Sequence, residues 1–169
     1  MTEMSPAVTF TRTDGETSGS CGQLLPNTEM KVLDLATGNL LGPGHTGELC
    51  FRGPQVGWGT TFLIYKQHWQ VMPGYLNNPS ATAETLVDGW IHSGDIGYYD
   101  KDGFVFIVDR KKELIKVKGL QVAPAELENL LRGLAGVRDV AVIGVPDQRA
   151  GEVPRAYVVR ETEALTEQV

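Results

Sequence analysis

Residues 89–128 constrain the fold of this chain more than any other stretch. Short apolar and aromatic runs alternate there with the polar groups Ser-Gly-Asp, Asp-Lys-Asp-Gly and Asp-Arg-Lys-Lys. This pattern predicts short β-strands joined by tight turns. Residues 100–103 predict a reversal between two strands, because glycine adopts positive φ freely and aspartate tolerates it. We therefore expect Asp95 at the lip of a turn and Arg110 at the end of a hydrophobic strand. A carboxylate and a guanidinium in such places suit a polyol or a nucleotide.

The segments on either side of this stretch extend the β pattern. Residues 28–35 and 47–51 predict two strands before it. Residues 140–145 and 156–159 predict two strands after it, and residues 146–147 predict a turn between them. The chain is therefore expected to be rich in strands along most of its length.

Two helices are predicted from the residues at their beginnings. Asn78 is a favourable N-cap and Pro79 suits the first helical position, so a short helix is expected there. Pro124 can begin a second helix, whereas Ala123 before it is a poor cap and leaves the helix start dependent on packing. Leucines then recur at helical spacing and predict one apolar stripe: Leu127, Leu130, Leu131 and Leu134.

Composition excludes several classes of protein. The 169 residues are 41% hydrophobic, which is enough for a packed core. A net charge of −6 argues against a nucleic-acid partner or an anionic membrane surface. There is no apolar run of about 18 residues, so no membrane span is expected, and the first residues lack a secretory signal pattern. Cys21 and Cys50 are predicted to be reduced and structural, and His92, with no second ligand nearby in sequence, to be structural as well.

Three segments, taken in order, resemble consecutive signatures of the adenylate-forming (AMP-binding) enzymes: residues 93–95, residues 109–116 and residues 118–128. Within that superfamily the similarity is greatest to the acyl- and aryl-CoA synthetases, such as 4-coumarate CoA ligase and firefly luciferase. The resemblance extends from Met1 to about Thr166. An amino-acid adenylation domain that loads a carrier protein is an alternative member of the same superfamily.

The resemblance implies a mixed α/β fold of the α+β kind, in two parts. Residues 1–110 would form the C-terminal part of the large AMP-binding domain, with a small β-barrel-like subdomain. Residues 111–169 would form the beginning of a small α+β C-terminal domain. Residues 165–169 predict only the first turn of a further helix, so this domain is expected to be incomplete.

The reaction that the resemblance implies has two steps and uses ATP, Mg2+ and coenzyme A. A carboxylic acid attacks the α-phosphate of ATP, which gives acyl-AMP and pyrophosphate, and the thiol of coenzyme A then displaces AMP. This chemistry requires cations against the phosphate charge and polar groups that hold the ribose.

Five residues of the central stretch match functional positions of the family. Asp95 resembles the acid that accepts hydrogen bonds from the ribose hydroxyls, and Arg110 resembles its ribose-binding partner. Lys112 matches the hinge about which the small domain rotates between the half-reactions. Lys116 and Gln121 match polar catalytic residues that the small domain brings to the active site.

The first residues resemble the end of another family motif. Thr2 stands where the family has a threonine that contacts phosphate, and Glu3 stands where it has a glutamate that helps to hold Mg2+. The aromatic residue that normally precedes this pair, and that stacks near the adenine, is absent. The chain is thus expected to begin inside an active-site loop.

One segment departs from the family pattern. Removing residues 56–70 restores the usual spacing between the flanking motifs, so this segment is interpreted either as the product of a retained 45-nucleotide intron or as a genuine loop. Its apolar centre would be prone to β-aggregation if it were exposed.

Two groups that stabilise charge at the α-phosphate in the family have no counterpart here: the phosphate loop and a late catalytic lysine. The polypeptide is therefore expected to be inactive alone. A non-catalytic isoform that associates with the full-length enzyme is an alternative of a different class. The parent is expected inside the cell, in the cytoplasm or the peroxisome, and residues 167–169 are not a peroxisomal tripeptide.

Overall fold

The computed structural model describes residues 1–4, 7–11, 19–53 and 71–161. The chain divides into two compact units, Met1–Ile107 and Val108–Val169. The described residues form twelve β-strands, two α-helices and one 3-10 turn, so the mixed α/β class is confirmed. Two features expected from the sequence lie outside the described residues, namely the inserted segment 56–70 and the helical turn at 165–169. No helix in the described ranges is long and apolar enough to cross a membrane.

The first unit is built on an antiparallel sheet. Its described strands are β1 (Thr9–Phe10), β2 (Gln23–Leu24), β3 (Glu29–Leu33), β4 (Leu40–Leu41), β5 (Gly47–Arg52), β6 (Leu86–Val87), β7 (Trp90–Tyr99) and the first half of β8 (Val105–Arg110), whose residues from Val108 onward belong to the second unit. The order in the main sheet is β4-β3-β5-β7-β6, with β8 paired to β7, whereas β1 and β2 pair separately. As described, this sheet is open, so the barrel-like subdomain is not a closed barrel there.

Strand β5 is the centre of this sheet. Its first five residues are all buried, which is the pattern of a strand that is covered on both faces. Leu49 and Phe51 of β5 pack with Val32 and Ile91 of the two neighbouring strands in one apolar cluster. The apolar core therefore lies on one face of β5, and the alternation of a strand directs Glu48 and Cys50 to the other.

The reversal predicted at residues 100–103 is confirmed. The carboxylate of Asp100 accepts hydrogen bonds from the N–H groups of Asp102 and Phe104, at 3.0 and 2.9 Å. Gly103 has a φ of +82°, which few residues other than glycine adopt readily. The turn thus connects β7 to β8 as the pattern predicted.

The first predicted helix is confirmed as α1 (Pro79–Thr85). The side chain of Asn78 accepts a hydrogen bond from the N–H of Ala81 at 3.0 Å, so it satisfies one of the unpaired donors of the first turn. Proline follows the cap at the first helical position, where its missing N–H is not needed.

The second unit combines one helix with a four-stranded antiparallel sheet. Its elements are a 3-10 turn (Lys111–Glu113), β9 (Ile115–Val117), β10 (Leu120–Val122), α2 (Pro124–Arg132), β11 (Val137–Asp147) and β12 (Gly151–Arg160). The sheet order is β10-β9-β12-β11. Ile115, Val140 and Val142 form the buried core, against which α2 packs through Leu127 and Leu131.

The apolar stripe predicted on α2 is only partly correct. Leu127 and Leu131 pack against the core, but Leu130 is 71% exposed and Leu134 is 56% exposed. The helix ends at Arg132, so Leu134 lies beyond it and does not continue the stripe. At 3.6 residues per turn, Leu131 lies about 40° to one side of Leu127 and Leu130 about 60° to the other, and the core lies on the side of Leu131.

Candidate functional site

Asp95 lies in a bulge inside a strand, which corrects the expected position at a turn between two strands. Strand β7 runs without interruption from Trp90 to Tyr99. Opposite it, Glu48 pairs with Ile96 and Cys50 pairs with His92, so four steps along β7 match two steps along β5. The residues in excess fall at positions 93–95, where the ladder is interrupted.

Glycine and serine stabilise this bulge. Gly94 has a φ of +70°, which relieves the strain that a side chain would bring at this point of the strand. The hydroxyl of Ser93 donates a hydrogen bond to the carbonyl of Leu49 at 2.7 Å and accepts one from the N–H of Asp95 at 3.0 Å. The Ser-Gly-Asp sequence therefore positions the half-buried Asp95 through its own backbone.

Glu3 lies in a network of hydrogen bonds in the first unit. The hydroxyl of Tyr75 donates to Oε1 of Glu3 at 2.8 Å, and the hydroxyl of Thr2 donates to Oε2 at 3.1 Å. The carbonyl of Glu3 accepts from the N–H of Met72 at 2.8 Å, and Met4 bridges to Val71. Both oxygens of the carboxylate thus have donors, and the backbone on either side of it is paired.

This network affects two pKa values. Partial burial acts to raise the pKa of Glu3, but hydrogen bonds from its own N–H, from Tyr75 and from Thr2 outweigh burial and lower it below the ordinary glutamate range. The hydrogen bond to Glu3 raises the pKa of Tyr75, since the phenol must stay protonated to donate. Glu3 is therefore ionised at neutral pH, as a carboxylate ligand of Mg2+ must be.

A shallow cavity of about 440 Å³ adjoins Tyr75. It is bordered by the loop before α1 and by the helix itself, including Asn78, Thr82 and Leu86. Its lining has no charged side chain, so it lacks the cations that a nucleotide phosphate requires.

Arg110 is the last residue of β8 and is exposed, as the sequence predicted for the end of a strand.

Asp109, the residue before Arg110, has a structural role that the sequence did not predict. Oδ2 of Asp109 accepts a hydrogen bond from the N–H of Ala125 at 3.1 Å, and Oδ1 accepts from the N–H of Arg110 at 2.7 Å. Asp109 thus caps α2 from a distance, where Ala123 makes no side-chain cap.

Lys112 lies in the 3-10 turn that follows β8 and is exposed. The 3-10 turn ends at Glu113, and β9 begins two residues later at Ile115. A short turn of this kind is common where the chain changes direction between elements. The hinge assignment of Lys112 stays a prediction.

Lys116 and Gln121 are brought together by a hairpin. They are register partners on β9 and β10, and both are exposed. The turn between these strands consists of Lys118 and Gly119, whose φ values are +50° and +84°. Two successive positive values are typical of a tight hairpin turn, and glycine adopts such a value without strain. Lys118 is in this turn and lies outside β9, which ends at Val117.

The structure therefore groups the predicted site residues in a definite way. Thr2 and Glu3 are in direct contact in the first unit, which also contains Asp95, and Lys116 and Gln121 are cross-strand partners in the second. Arg110 and Lys112 also belong to the second unit. Tyr75 was missed, because nothing in the local pattern shows that a tyrosine so far along the chain bonds to Glu3.

Comparisons with known proteins agree with the resemblance. The family model described as "AMP-binding enzyme" matches residues 1–59, and the model described as "AMP-binding enzyme C-terminal domain" matches residues 126–169. The chain belongs to the AMP-binding enzyme family.

Curated relatives and solved structures extend the match over most of the chain. It is 51% identical to 4-coumarate–CoA ligase 1 of Arabidopsis thaliana over 87% of its length, and 46% identical to luciferin 4-monooxygenase of Photinus pyralis over 95%. These alignments span only 24% and 27% of the relatives. ATP-bound MatB of Rhodopseudomonas palustris is 33% identical with a TM-score of 0.74, covering 91% of this chain and 28% of MatB.

A further similar structure contains an acyl-adenylate. O-succinylbenzoate CoA synthetase of Bacillus subtilis, in complex with an acyl-adenylate intermediate, is 32% identical with a TM-score of 0.65. The similarity covers 86% of this chain and 27% of that one. The chain thus spans about a quarter of the length of the proteins it matches.

Proposed function

We propose that this chain is part of an ATP-dependent acyl- or aryl-CoA ligase. Such an enzyme joins a carboxylic acid to AMP and then transfers the acyl group to the thiol of coenzyme A. The observation that carries the proposal is the bulge at residues 93–95. It interrupts the pairing of β5 with β7 at the position of the Asp95 carboxylate. Strand pairing is lost at a bulge, and bulges are frequent beside active sites. The names of the relatives, which are ligases of this kind, support it.

In this proposal Asp95 and Arg110 bind the ribose of the adenylate. A carboxylate can accept hydrogen bonds from both ribose hydroxyls, and a guanidinium can donate to the ribose oxygens in a fixed geometry. The bulge holds the backbone of Asp95 through Ser93, and Asp109 holds the N–H of Arg110. Both side chains therefore extend from backbone that is already ordered before the nucleotide binds.

Glu3 and Thr2 are proposed to act at the phosphates. Mg2+ binds oxygen ligands and commonly uses one or two carboxylates beside phosphate and water. Glu3 fits this requirement, because it is ionised and its carboxylate is oriented by Tyr75 and Thr2. When bound, the cation would neutralise charge on the phosphates. The hydroxyl of Thr2 is available to exchange its bond to Glu3 for one to a phosphate oxygen.

Lys116 and Gln121 are proposed to supply the second unit's polar groups to the reaction, and Lys112 to be the hinge. The hairpin turn at Lys118 and Gly119 sets the register that places Lys116 and Gln121 side by side. A cation and an amide on one face can bind a phosphate or carboxylate oxygen together. A short 3-10 turn at Lys112 is a suitable place for a change in backbone angles.

The ribose assignment is tested by AMP binding to the 169-residue chain. Asp95→Asn should weaken binding about 10- to 100-fold, since a hydrogen bond to a charged group contributes about 1.5–3 kcal/mol. Asp102→Asn, in the exposed turn before Gly103, is the matched control and should bind as the parent does. Arg110→Gln should weaken binding similarly, with the exposed Arg138→Gln as its control. Titration calorimetry gives the affinities, and an unchanged affinity in Asp95→Asn would contradict the assignment.

Adenylate formation is a separate test. We propose that a polypeptide of these 169 residues alone releases no pyrophosphate above background. Counterparts of the family's phosphate loop and late lysine are not among these residues, and each such group is often worth about 10²-fold or more in rate. The assay uses ATP with panels of fatty, aromatic and amino acids. Clear turnover would refute the proposed inactivity, and turnover with amino acids only would favour the carrier-loading alternative.

A further inference from the structure

Three side chains that can ligate a metal converge on the sheet of the first unit. Glu48 and Cys50 lie on the same face of β5, and His92 of β7 is the register partner of Cys50. Sγ of Cys50 lies 3.6 Å from Nδ1 of His92, and Oε2 of Glu48 lies 3.2 Å from the same nitrogen. His92, which has no second ligand nearby in sequence, therefore has two candidate ligands beside it in the fold. Strand pairing joins it to residues 42 and 44 positions away.

The cluster is largely shielded from water. Glu48 is 5% exposed and Cys50 is fully buried. The side chain of His92 keeps 23% exposure, so the cluster is reachable from the surface at this residue. An ionised carboxylate in such a position is unfavourable unless a cation or several hydrogen bonds compensate its charge. Clusters of exposed acidic side chains are common in proteins without a bound metal ion. This cluster differs from them because Glu48 and Cys50 are buried and because it combines a carboxylate, a thiol and an imidazole.

We propose that Glu48, Cys50 and His92 form a site for a divalent cation of the zinc class. In a tetrahedral zinc site, bonds of about 2.0–2.3 Å place neighbouring ligand atoms roughly 3.3–3.7 Å apart. The separations at Nδ1 are near this range, and all three ligand atoms lie within 4.8 Å of one another. Binding thus requires only small movements of the side chains.

The chemistry of the three ligands favours zinc over other common cations. Thiolate and imidazole are preferred by zinc, whereas Mg2+ and Ca2+ prefer oxygen ligands alone. A thiolate and a carboxylate would together neutralise a doubly charged ion, and the imidazole would bind in its neutral form. Three protein ligands leave a fourth position for water or another small ligand.

The site would tie together the two strands that support the bulge. Ser93, which follows His92 directly, donates to the carbonyl of Leu49, which lies between Glu48 and Cys50. A bound ion would therefore restrain β5 and β7 next to Asp95. The metal proposal does not depend on nucleotide binding, because the ion can be measured without any nucleotide.

Cobalt(II) is the probe for the site, because it replaces zinc and its bond to a thiolate gives a charge-transfer absorption band. The 169-residue chain should show this band, and added zinc should remove it. Cys50→Ser should lose the band, and His92→Gln should lower zinc affinity about 10- to 100-fold or more, as expected when a metal site is damaged. Cys21→Ser and His45→Gln are the matched controls and should keep both properties.

Thermal unfolding provides a second measurement. Zinc should raise the Tm of the parent chain and of both controls, but not that of His92→Gln, since an ion stabilises only a fold that binds it. Circular dichroism shows whether each variant is folded. If Cys50→Ser does not fold, the parent spectrum and His92→Gln decide the question. Absence of a thiolate band in the parent, zinc affinity unchanged in folded His92→Gln, or loss of binding in a control would each overturn the proposal.

Discussion

At the scale of single residues, the carboxylate of Glu3 is controlled in part by a partner far away in sequence. Glu3 receives a hydrogen bond from Tyr75, 72 positions later, and this bond helps to lower its pKa against the opposing effect of burial. The fold therefore favours the charged form of Glu3. Its stabilising contribution is complete above the ordinary glutamate value of 4.5 and is lost as the pH falls through the lowered pKa.

Tyr75→Phe tests this control directly. Removing the hydroxyl takes away one donor to the carboxylate, so the pKa of Glu3 should rise toward its ordinary value. NMR titration of the carboxyl carbon of Glu3 measures the change. Tyr157→Phe, which changes an exposed tyrosine of the second unit, is the matched control and should leave the pKa of Glu3 unchanged. A pKa that does not move in Tyr75→Phe would show that the hydrogen bond has no effect in solution.

At the scale of elements, departures from regular structure are stabilised by specific polar contacts. The bulge in β7 depends on the hydroxyl of Ser93, and the beginning of α2 depends on the carboxylate of Asp109. The sequence had suggested that α2 begins by packing alone. The contact from Asp109 satisfies a backbone donor that the neighbouring Ala123 cannot reach.

Asp109→Ala should destabilise the second unit by about 1 kcal/mol, the usual effect of losing an N-cap contact. Amide hydrogen exchange of the first turn of α2 should accelerate, because the N–H of Ala125 loses its acceptor. Denaturant unfolding followed by circular dichroism gives the free energy. Asp102→Ala, at an exposed turn of the first unit, serves as the comparison, and equal behaviour of the two variants would contradict the capping role.

At the scale of the whole molecule, each compact unit has its own apolar core. The first unit has a cluster around β5, and the second has a smaller one around Ile115, Val140 and Val142. A cluster of few buried side chains supports only a modest stability, so each of its members matters more. The core of the second unit is therefore expected to be sensitive to truncation.

Ile115→Ala should lower the free energy of unfolding by about 2–5 kcal/mol, because Ile115 is 1% exposed and its loss leaves a cavity. Ile143→Ala is the matched control, since Ile143 lies in the same unit and is 47% exposed. In this control the free energy of unfolding should fall by no more than about 1 kcal/mol. Chemical denaturation measures both values. A similar loss in the two variants would contradict the placement of this core.

The sequence by itself determined the features that act over a few residues. The reversal at residues 100–103, the cap of α1 by Asn78 and the beginning of α2 at Pro124 were all predicted correctly. The reason is that φ preferences, proline geometry and capping bonds depend on neighbours in the chain. The ordered motifs also identified the family, because each of them is a short run of residues that can be read directly from the sequence.

Only the tertiary structure decided which distant residues meet. The pairing of β5 with β7 placed Asp95 in a bulge and brought Glu48 and Cys50 to His92. The sequence around each of these residues does not predict that pairing. Likewise, helical spacing alone could not show that Leu130 is exposed. Register between strands is set by the packing of a whole sheet, and a single segment does not contain that information.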